Sequence, residues 1–526
     1  MNTNAKQLNK TPEGEDRFSA LISNASAVRA LAASVEGTLG PKGLNCMLVD
    51  RFGGVTITND GSTILSRVEA NHPAAGMLVQ AAGAQDAEVG DGTTTTAVLA
   101  GALLTGGVEQ VMRGVPVAKV IEGIRAGVTR ALEVIAGLTK NVSGFSDPLL
   151  WQAAYISSRE LKDIADLVVE AARLVGTEQL REPGWRLAEI VEAEEGAQNQ
   201  VFPGLIIKKE RMNRMMPRCV ESSRVLVIDD ALEPEQMEDD ALSTESGFSR
   251  YMALQEEFKK SVNKIVELGA GLVVAHKSVS DTAEEILTDA GIMVLRRVSS
   301  RDIVRIAEHT GAKIIKRTGL LRPLEELQGF PGTCSRVYGD ERLEHTRIEG
   351  GGGRPAATIL VGAATREVKE ERKRIACDAA SAVQSVILSG VVPGGGAAEI
   401  AAAREVFALR DKTAGMASYG VDCVTEALRR PLSQIVTNAG FNPLEKVEDV
   451  IAAQSQKKCA SLGINCDTGE VADMYALGVV DPAKVKTAAI CTAAEVAEAI
   501  LRINIIIKRR DDTTAAHETA NLPTGG

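Results

Sequence analysis

The rhythm of apolar and polar positions differs between the two ends of this chain and its middle. Residues 18–36 carry apolar side chains at helical spacing, with Ala20, Ile22, Ala27, Leu31 and Val35 on one stripe. That pattern stops near Gly37, and Gly40-Pro41 forces a turn. Two β-rich runs follow at 46–50 and 55–59, and Arg51-Phe52-Gly53-Gly54 between them predicts a hairpin. From Thr94 to about Gly137 the pattern is helical and rich in Ala, Leu and Val, with breaks expected at Gly106-Gly107 and Gly114.

In the middle the period changes. Strand-like runs fall at 225–228, 272–275, 293–298, 313–316 and 357–361, with helical stretches at 249–268, 280–290 and 301–310. Alternation of this kind predicts βαβ units around a parallel sheet. In the helix at 249–268, Leu254, Phe258, Val262 and Ile265 form one apolar face. The acidic stretch DDALEPEQMEDDALSTESG (229–247) fits a solvated loop, or a protrusion whose Leu232, Met237 and Leu242 touch a partner. Helix returns at 366–389 and stops at Gly390. Ala-rich helices are expected at 397–409, 413–429 and 484–502, and a last strand at 503–508. The economical arrangement is a helical domain built from both ends of the chain with an α/β domain inserted into it.

Composition narrows the function classes. The chain has 526 residues, 44% hydrophobic and 25% charged, which is globular composition with ample length for a buried core. At roughly 150 residues per domain, length alone suggests three or four domains. A diffuse net charge of −11 and only 3% aromatic residues argue against nucleic-acid binding, which needs a basic footprint or stacking platforms. No apolar run reaches the roughly 18 residues of a membrane span, and the polar N-terminus has no apolar signal core, so no membrane partner is expected. Eight scattered cysteines without a CxxC pair suit reduced thiols in a cytoplasm. Five scattered histidines lack zinc-ligand spacing, and no GxSxG supports a serine hydrolase.

The strongest chemical signal is Gly90-Asp91-Gly92-Thr93-Thr94-Thr95-Thr96, followed at once by an apolar helical run. Glycines let backbone amides approach a ligand, and threonines at a helix start offer hydroxyls and unpaired N–H groups, a natural phosphate cradle. Asp91 supplies the hard oxygen that suits Mg²⁺. A plain turn with a threonine N-cap needs fewer threonines. Gly40-Pro41-Lys42-Gly43 fits a phosphate loop or a helix-stop turn, and it is not a Walker A loop. Pro393-Gly394-Gly395-Gly396 fits close ligand approach or a hinge, and Gly350–Gly353 reads as a loop or hinge. Asp60, beside the hairpin, and Asp378, on a helix, are a turn former and a polar helix residue on their own. As a pair they could activate a water for attack on a terminal phosphate.

Longer blocks then carry a family resemblance. TLGPKGLNCMLVD (38–50), TITNDGSTIL (56–65), HPAAGMLV (72–79), VGDGTTTTAVLAG (89–101), VVPGGGAAEI (391–400), GINCDTGEVADM (463–474) and GVVDPAKVKTAAI (478–490) resemble the thermosome-type, or group II, chaperonins in order and spacing over nearly the whole chain. The resemblance implies a multidomain subunit. A mostly α-helical equatorial ATP-binding domain would be 1–141 and 399–526, a small α/β intermediate domain 142–208 and 361–398, and an α/β apical domain 209–360 with a helical lid protrusion near 229–258. It implies an ATPase that encloses non-native client proteins in stacked rings of eight subunits, with ATP and Mg²⁺ as ligands. Leu39, Gly40, Pro41 and Gly43 resemble the phosphate loop, Gly92, Thr93, Thr94 and Thr95 the phosphate cradle, and Asp91 the Mg²⁺ aspartate. Asp60 and Asp378 resemble the two aspartates that position the attacking water, Gly394 and Gly395 the ribose-side glycines, and Asp481 the residue that holds the ribose hydroxyls. Asp378 then belongs to the intermediate domain and Asp60 to the equatorial one, so hydrolysis would need domain closure.

The chain departs from the family pattern in the Ser157-Ser158-Arg159 segment, where arginine replaces the usual lysine and the following loop is short. EGAQNQVFPG (195–204) replaces a glycine-serine-rich stretch. These departures bear on nucleotide sensing, and they suit the bacterial group III branch. Two other function classes compete: a small-molecule phosphohydrolase or phosphotransferase on the same Gly/Thr cradle, and a scaffold ring without turnover.

Overall fold

Helices built from the two ends of the chain pack around Thr93–Met112, whose residues Ala97–Leu104 are small or aliphatic and buried but for one. The computed structural model describes residues 18–70, 72–235 and 245–505. These fall into two compact units, one from 1–142 and 389–526, the other from 143–388.

In the first unit, Ser19–Glu36, Ser418–Asn438 and Ala483–Leu501 surround the Thr93–Met112 helix. Gly106-Gly107 does not break that helix. A Cβ on Gly106 would meet Cys423 at 3.4 Å and one on Gly107 would meet Leu501 at 2.9 Å, so these glycines admit neighbouring helices. The break comes where Gly114-Val115-Pro116 separates it from Val117–Leu138. The buried stripe of Ser19–Glu36 is Leu21, Asn24, Val28, Leu31, Ala32 and Val35, while Ile22 is exposed. Leu31 and Val35 coincide with the expected stripe, and in the first half of the helix Leu21, Asn24 and Val28 take the buried places expected of Ala20, Ile22 and Ala27, since alanine tolerates either side. The hairpin forms as expected, with Cys46–Val49 antiparallel to Val55–Thr58. Ser418–Asn438 runs past the expected end at 429 with Pro431 inside it. Leu428, Leu432 and Val436 are buried around the proline, and that packing outweighs the one lost hydrogen bond. Pro443–Lys457 is a further helix that the periodicity did not mark.

The second unit carries a six-stranded sheet ordered Gly204–Ile207, His345–Gly351, Gly332–Asp340, Cys219–Ile228, Ala270–Ala275, Met293–Leu295. Its last three strands are parallel, joined through the helices Glu245–Glu267 and Asp281–Asp289, which is the expected βαβ pattern. The run at 313–316 contributes only a single bridge, Ile228 to Ile315. Thr358–Ala363 leaves this sheet and pairs with Val191–Glu195 and Gln200–Phe202, so EGAQNQVFPG forms a turn and an edge strand.

Gly350–Gly353 is not a loose hinge. Added Cβ atoms would lie 2.0 Å from Ser335 Oγ, 2.1 Å from the His309 carbonyl, 2.3 Å from Thr333 Oγ1 and 2.1 Å from the Glu308 carbonyl, so the cluster is wedged against its neighbours. Leu232 is fully buried and bridges to Val279, which places it in the core and not on a partner-facing protrusion. Met237 and Leu242 lie outside the described residues; of the strand expected at 503–508, residues 503–505 form no strand and 506–508 lie outside the described residues.

Candidate functional site

The candidate residues of the first unit converge through a chain of close contacts. Gly92 has φ +81°, a left-handed conformation that favours glycine, and turns the backbone into the Thr93–Met112 helix without any side-chain cap. The first amides of that helix therefore keep their donors free, and the helix dipole adds positive potential there. Thr96 Oγ1 donates back to the Gly92 carbonyl at 3.0 Å, whereas Thr94 and Thr95 hydroxyls find no hydrogen-bond partner among the described residues.

Against this helix start sits the Asp60-Gly61 turn. A Cβ on Gly61 would lie 2.3 Å from Thr94 Oγ1 and 2.9 Å from Thr93 Oγ1. Asp60 caps Gly61–Arg67: one carboxylate oxygen accepts from the Ser62 amide at 3.2 Å, the other from the Thr63 amide at 2.9 Å and the Thr63 hydroxyl at 2.6 Å. On the opposite side, a Cβ on Gly92 would meet Val485 at 2.7 Å, in the first turn of Ala483–Leu501.

Asp481 precedes that helix. It is placed by the antiparallel pairing of Val391–Pro393 with Val480–Pro482, in which Val392 faces Asp481. A Cβ on Gly394 would touch all three atoms of the Asp481 carboxyl at 3.2 Å. A Cβ on Gly396 would lie 2.8 Å from Leu432, and one on Gly40 would lie 3.1 Å from Ile435, one turn further along the same helix. The 37–43 turn is tied by the Gly43 amide to the Gly40 carbonyl at 3.0 Å and by Asn438, whose amide donates to Glu36 and Leu39 carbonyls at 2.9 and 2.8 Å. Pro41 lies exposed at its tip. A Cβ on Gly395 would lie 3.4 Å from Met474 Sδ.

Burial pushes the Asp91 carboxyl up to about 6. Its hydrogen bond from the Gly92 amide acts the other way, Asp481 adds to the rise, Lys486 opposes it and Asp60 adds to it. A carboxyl raised in the folded state weakens folding as it ionises. In metal-free protein, Asp91→Asn should therefore match the parent in stability below pH 4 and exceed it above about 6. Denaturation at a series of pH values checks this, and a constant difference would remove the burial argument.

Among the described residues no three His, Cys, Asp or Glu side chains gather to hold a metal alone. One carboxylate plus phosphate oxygens and water is how Mg²⁺ is commonly held, so Asp91 fits that ion. A separate groove of about 920 Å³, lined by Phe18, Leu21, Val117, Ile121, Leu501 and Ile503, contains none of the candidate residues.

Asp378 lies in the second unit, on the Arg366–Ser389 helix. Two turns earlier on that helix Glu371 pairs with Arg159 and, at 2.8 Å, with Arg374. Arg159 and Glu160 both take left-handed backbone, with φ of 54° and 62°. Residue-level reading did not single out Gly61, Glu399 or Lys486. The last two fall within the quoted blocks 391–400 and 478–490, but only their meeting in space gives them meaning.

Residues 31–511 match the TCP-1/cpn60 chaperonin family. A thermosome subunit of Pyrococcus abyssi is 35% identical over 514 residues, covering 94% of this chain and 93% of that protein. A thermosome subunit beta of Thermococcus kodakarensis is 34% identical over 533 residues, covering 98% and 96%. A crystal structure of a group III chaperonin in the open state superposes with a TM-score of 0.87 at 45% identity, covering 94% of this chain and all of that one.

Proposed function

The chain belongs to the TCP-1/cpn60 chaperonin family, and from that premise we propose that the first unit binds and hydrolyses ATP to drive protein folding. The protein is an ATP-dependent chaperonin that binds client proteins and assembles into rings. The small-molecule phosphohydrolase reading is not favoured beside full-length chaperonin relatives. The 45% identity to a group III structure, against 34–35% to the archaeal thermosome subunits, supports the group III branch. Two stacked rings of eight subunits, a built-in lid near 229–258 and a cytoplasmic setting complete the reading.

The observation that carries the site assignment is the Asp60-Gly61 turn seated on the uncapped Thr93–Met112 helix start. In this reading the Gly92–Thr95 amides and hydroxyls and the Leu39–Gly43 turn cradle the phosphates. Gly394 and Gly395 let the ribose approach Asp481. Asp91 would hold Mg²⁺, which when bound neutralises phosphate charge. Asp60 and Asp378 orient the attacking water and accept its proton. The 1–141 and 399–526 equatorial, 142–208 and 361–398 intermediate and 209–360 apical divisions are part of the same proposal.

Electron microscopy of the purified protein, with steady-state ATPase assays, tests the whole reading. Stacked rings that turn over ATP are expected, and a monomer at micromolar concentration without turnover would overturn it. Gly61→Ala is expected to lower kcat/KM for ATP at least about tenfold, because displacing a phosphate-binding element by a fraction of an ångström is costly. Unchanged kcat/KM would detach the Gly61 turn from the cradle.

A further inference from the structure

Lys486 lies in the first turn of Ala483–Leu501 and is only 8% exposed. Its ammonium sits 2.7 Å from Asp481 Oδ2 and 2.7 Å from Glu399 Oε1. Glu399, in the first turn of Ala397–Arg410, is 1% exposed, and its Oε2 has no hydrogen-bond partner among the described residues. Three elements thus send one cation and two carboxylates to one point. Burial works against the Lys486 charge, but Asp481 and Glu399 outweigh it and hold the ammonium protonated above its ordinary range.

Stability does not account for this arrangement. Desolvating the charges of a buried ion pair costs about what their attraction returns, and apolar replacements are often neutral or better. What the triad does fix is direction. Strand pairing sets the Asp481 backbone, its carboxyl lies so near Gly394 that a Cβ there would be 3.2 Å away, and Lys486 takes Oδ2. Oδ1 accepts no hydrogen bond among the described residues.

We propose that Lys486 is the positioning residue of the ribose subsite: its ammonium holds Asp481 Oδ2 so that Oδ1 faces the ribose hydroxyls, and Glu399 anchors the ammonium. This rests on the assignment of Asp481 to the ribose. A site built to receive a hydroxyl discriminates against an analogue that lacks it. The wild-type protein should therefore prefer ATP to 2′-deoxy-ATP or 3′-deoxy-ATP.

Lys486→Met alone strands the Glu399 charge, so the informative variant is Glu399→Gln with Lys486→Met, which removes both charges. In that variant the KM for ATP should rise about tenfold and the preference for ATP should shrink about tenfold, the worth of one hydrogen bond to a charged group, with kcat within about twofold. Lys486→Arg, which restores the cation, should keep most of the preference. A wild-type preference in the double variant overturns the proposal. So does failure of that variant to assemble, which would assign the triad to folding. Asp481→Ala in the same assay tests the premise separately: an unchanged preference there removes Asp481 from the ribose, whatever Lys486 does.

Discussion

Asp60→Asn should assemble, bind ATP and turn over at least about a hundredfold more slowly than the parent, the usual worth of a positioned general base. The choice of asparagine follows from the structure. Asp60 caps the Gly61–Arg67 helix through the Ser62 and Thr63 amides, so alanine would remove a cap as well as a charge. Loss of an N-cap costs about 1 kcal/mol and would blur the result. Asparagine keeps a capping oxygen but cannot take a proton from water. Asp378→Ala, in the second unit, should show the same loss of turnover with ATP binding retained. Steady-state hydrolysis and equilibrium nucleotide binding, measured on the same assembled sample, separate the two effects. Parental turnover in either variant would remove that carboxylate from the chemistry.

The largest effect on stability is expected at Gly123, where the Val117–Leu138 and Ser418–Asn438 helices touch backbone to backbone. A Cβ on Gly123 would lie 1.9 Å from the Ala417 carbonyl and 2.7 Å from Gly420 Cα. Gly420 is equally tight, its Cβ falling 2.1 Å from the Val120 carbonyl. Neither neighbour is a flexible side chain, so the helices must part. Gly123→Ala should cost about 3 kcal/mol, the upper end of ordinary overpacking. The control lies on the same helix. Gly137 has open space around its Cβ, and Gly137→Ala should be neutral or stabilise by about 0.5–1 kcal/mol through the unfolded chain. Denaturant midpoints of the two variants decide the matter. Equal midpoints would mean that the close crossing carries no stability.

These cases show which features a sequence can display. The Gly/Thr turn at 90–96, the 40–43 turn and the 393–396 turn each carry a local signature, because backbone amides near a ligand require small residues in sequence. The structure links them through contacts that no spacing encodes: Gly61 on Thr94, Gly92 on Val485, Gly394 on Asp481. Lys486 and Glu399 are 87 positions apart in number and leave no periodic trace, since a buried ion triad depends only on where three elements meet. The fold follows the same division. The hairpin, the long helices and the parallel βαβ strands announce themselves by period. Gly106-Gly107 misleads because a local breaker rule competes with tertiary packing, and packing prevails there as it does at Pro431 inside Ser418–Asn438. Gly350–Gly353 misleads in the other direction, since crowding by Ser335, Thr333 and the 308–309 carbonyls is invisible in composition.

Leu432 and Ile435 give the Ser418–Asn438 helix a further significance. One face of that helix bears Gly396 and Gly40 on adjacent turns, so the supports of the ribose-side and phosphate-side loops share a single rigid strut. The distance between those two loops is thereby a ruler, graduated by the pitch of one helical turn and not by the loops themselves. Remodelling either loop leaves that gauge unchanged, whereas shifting the register of the one helix beneath them would recalibrate both ends at once.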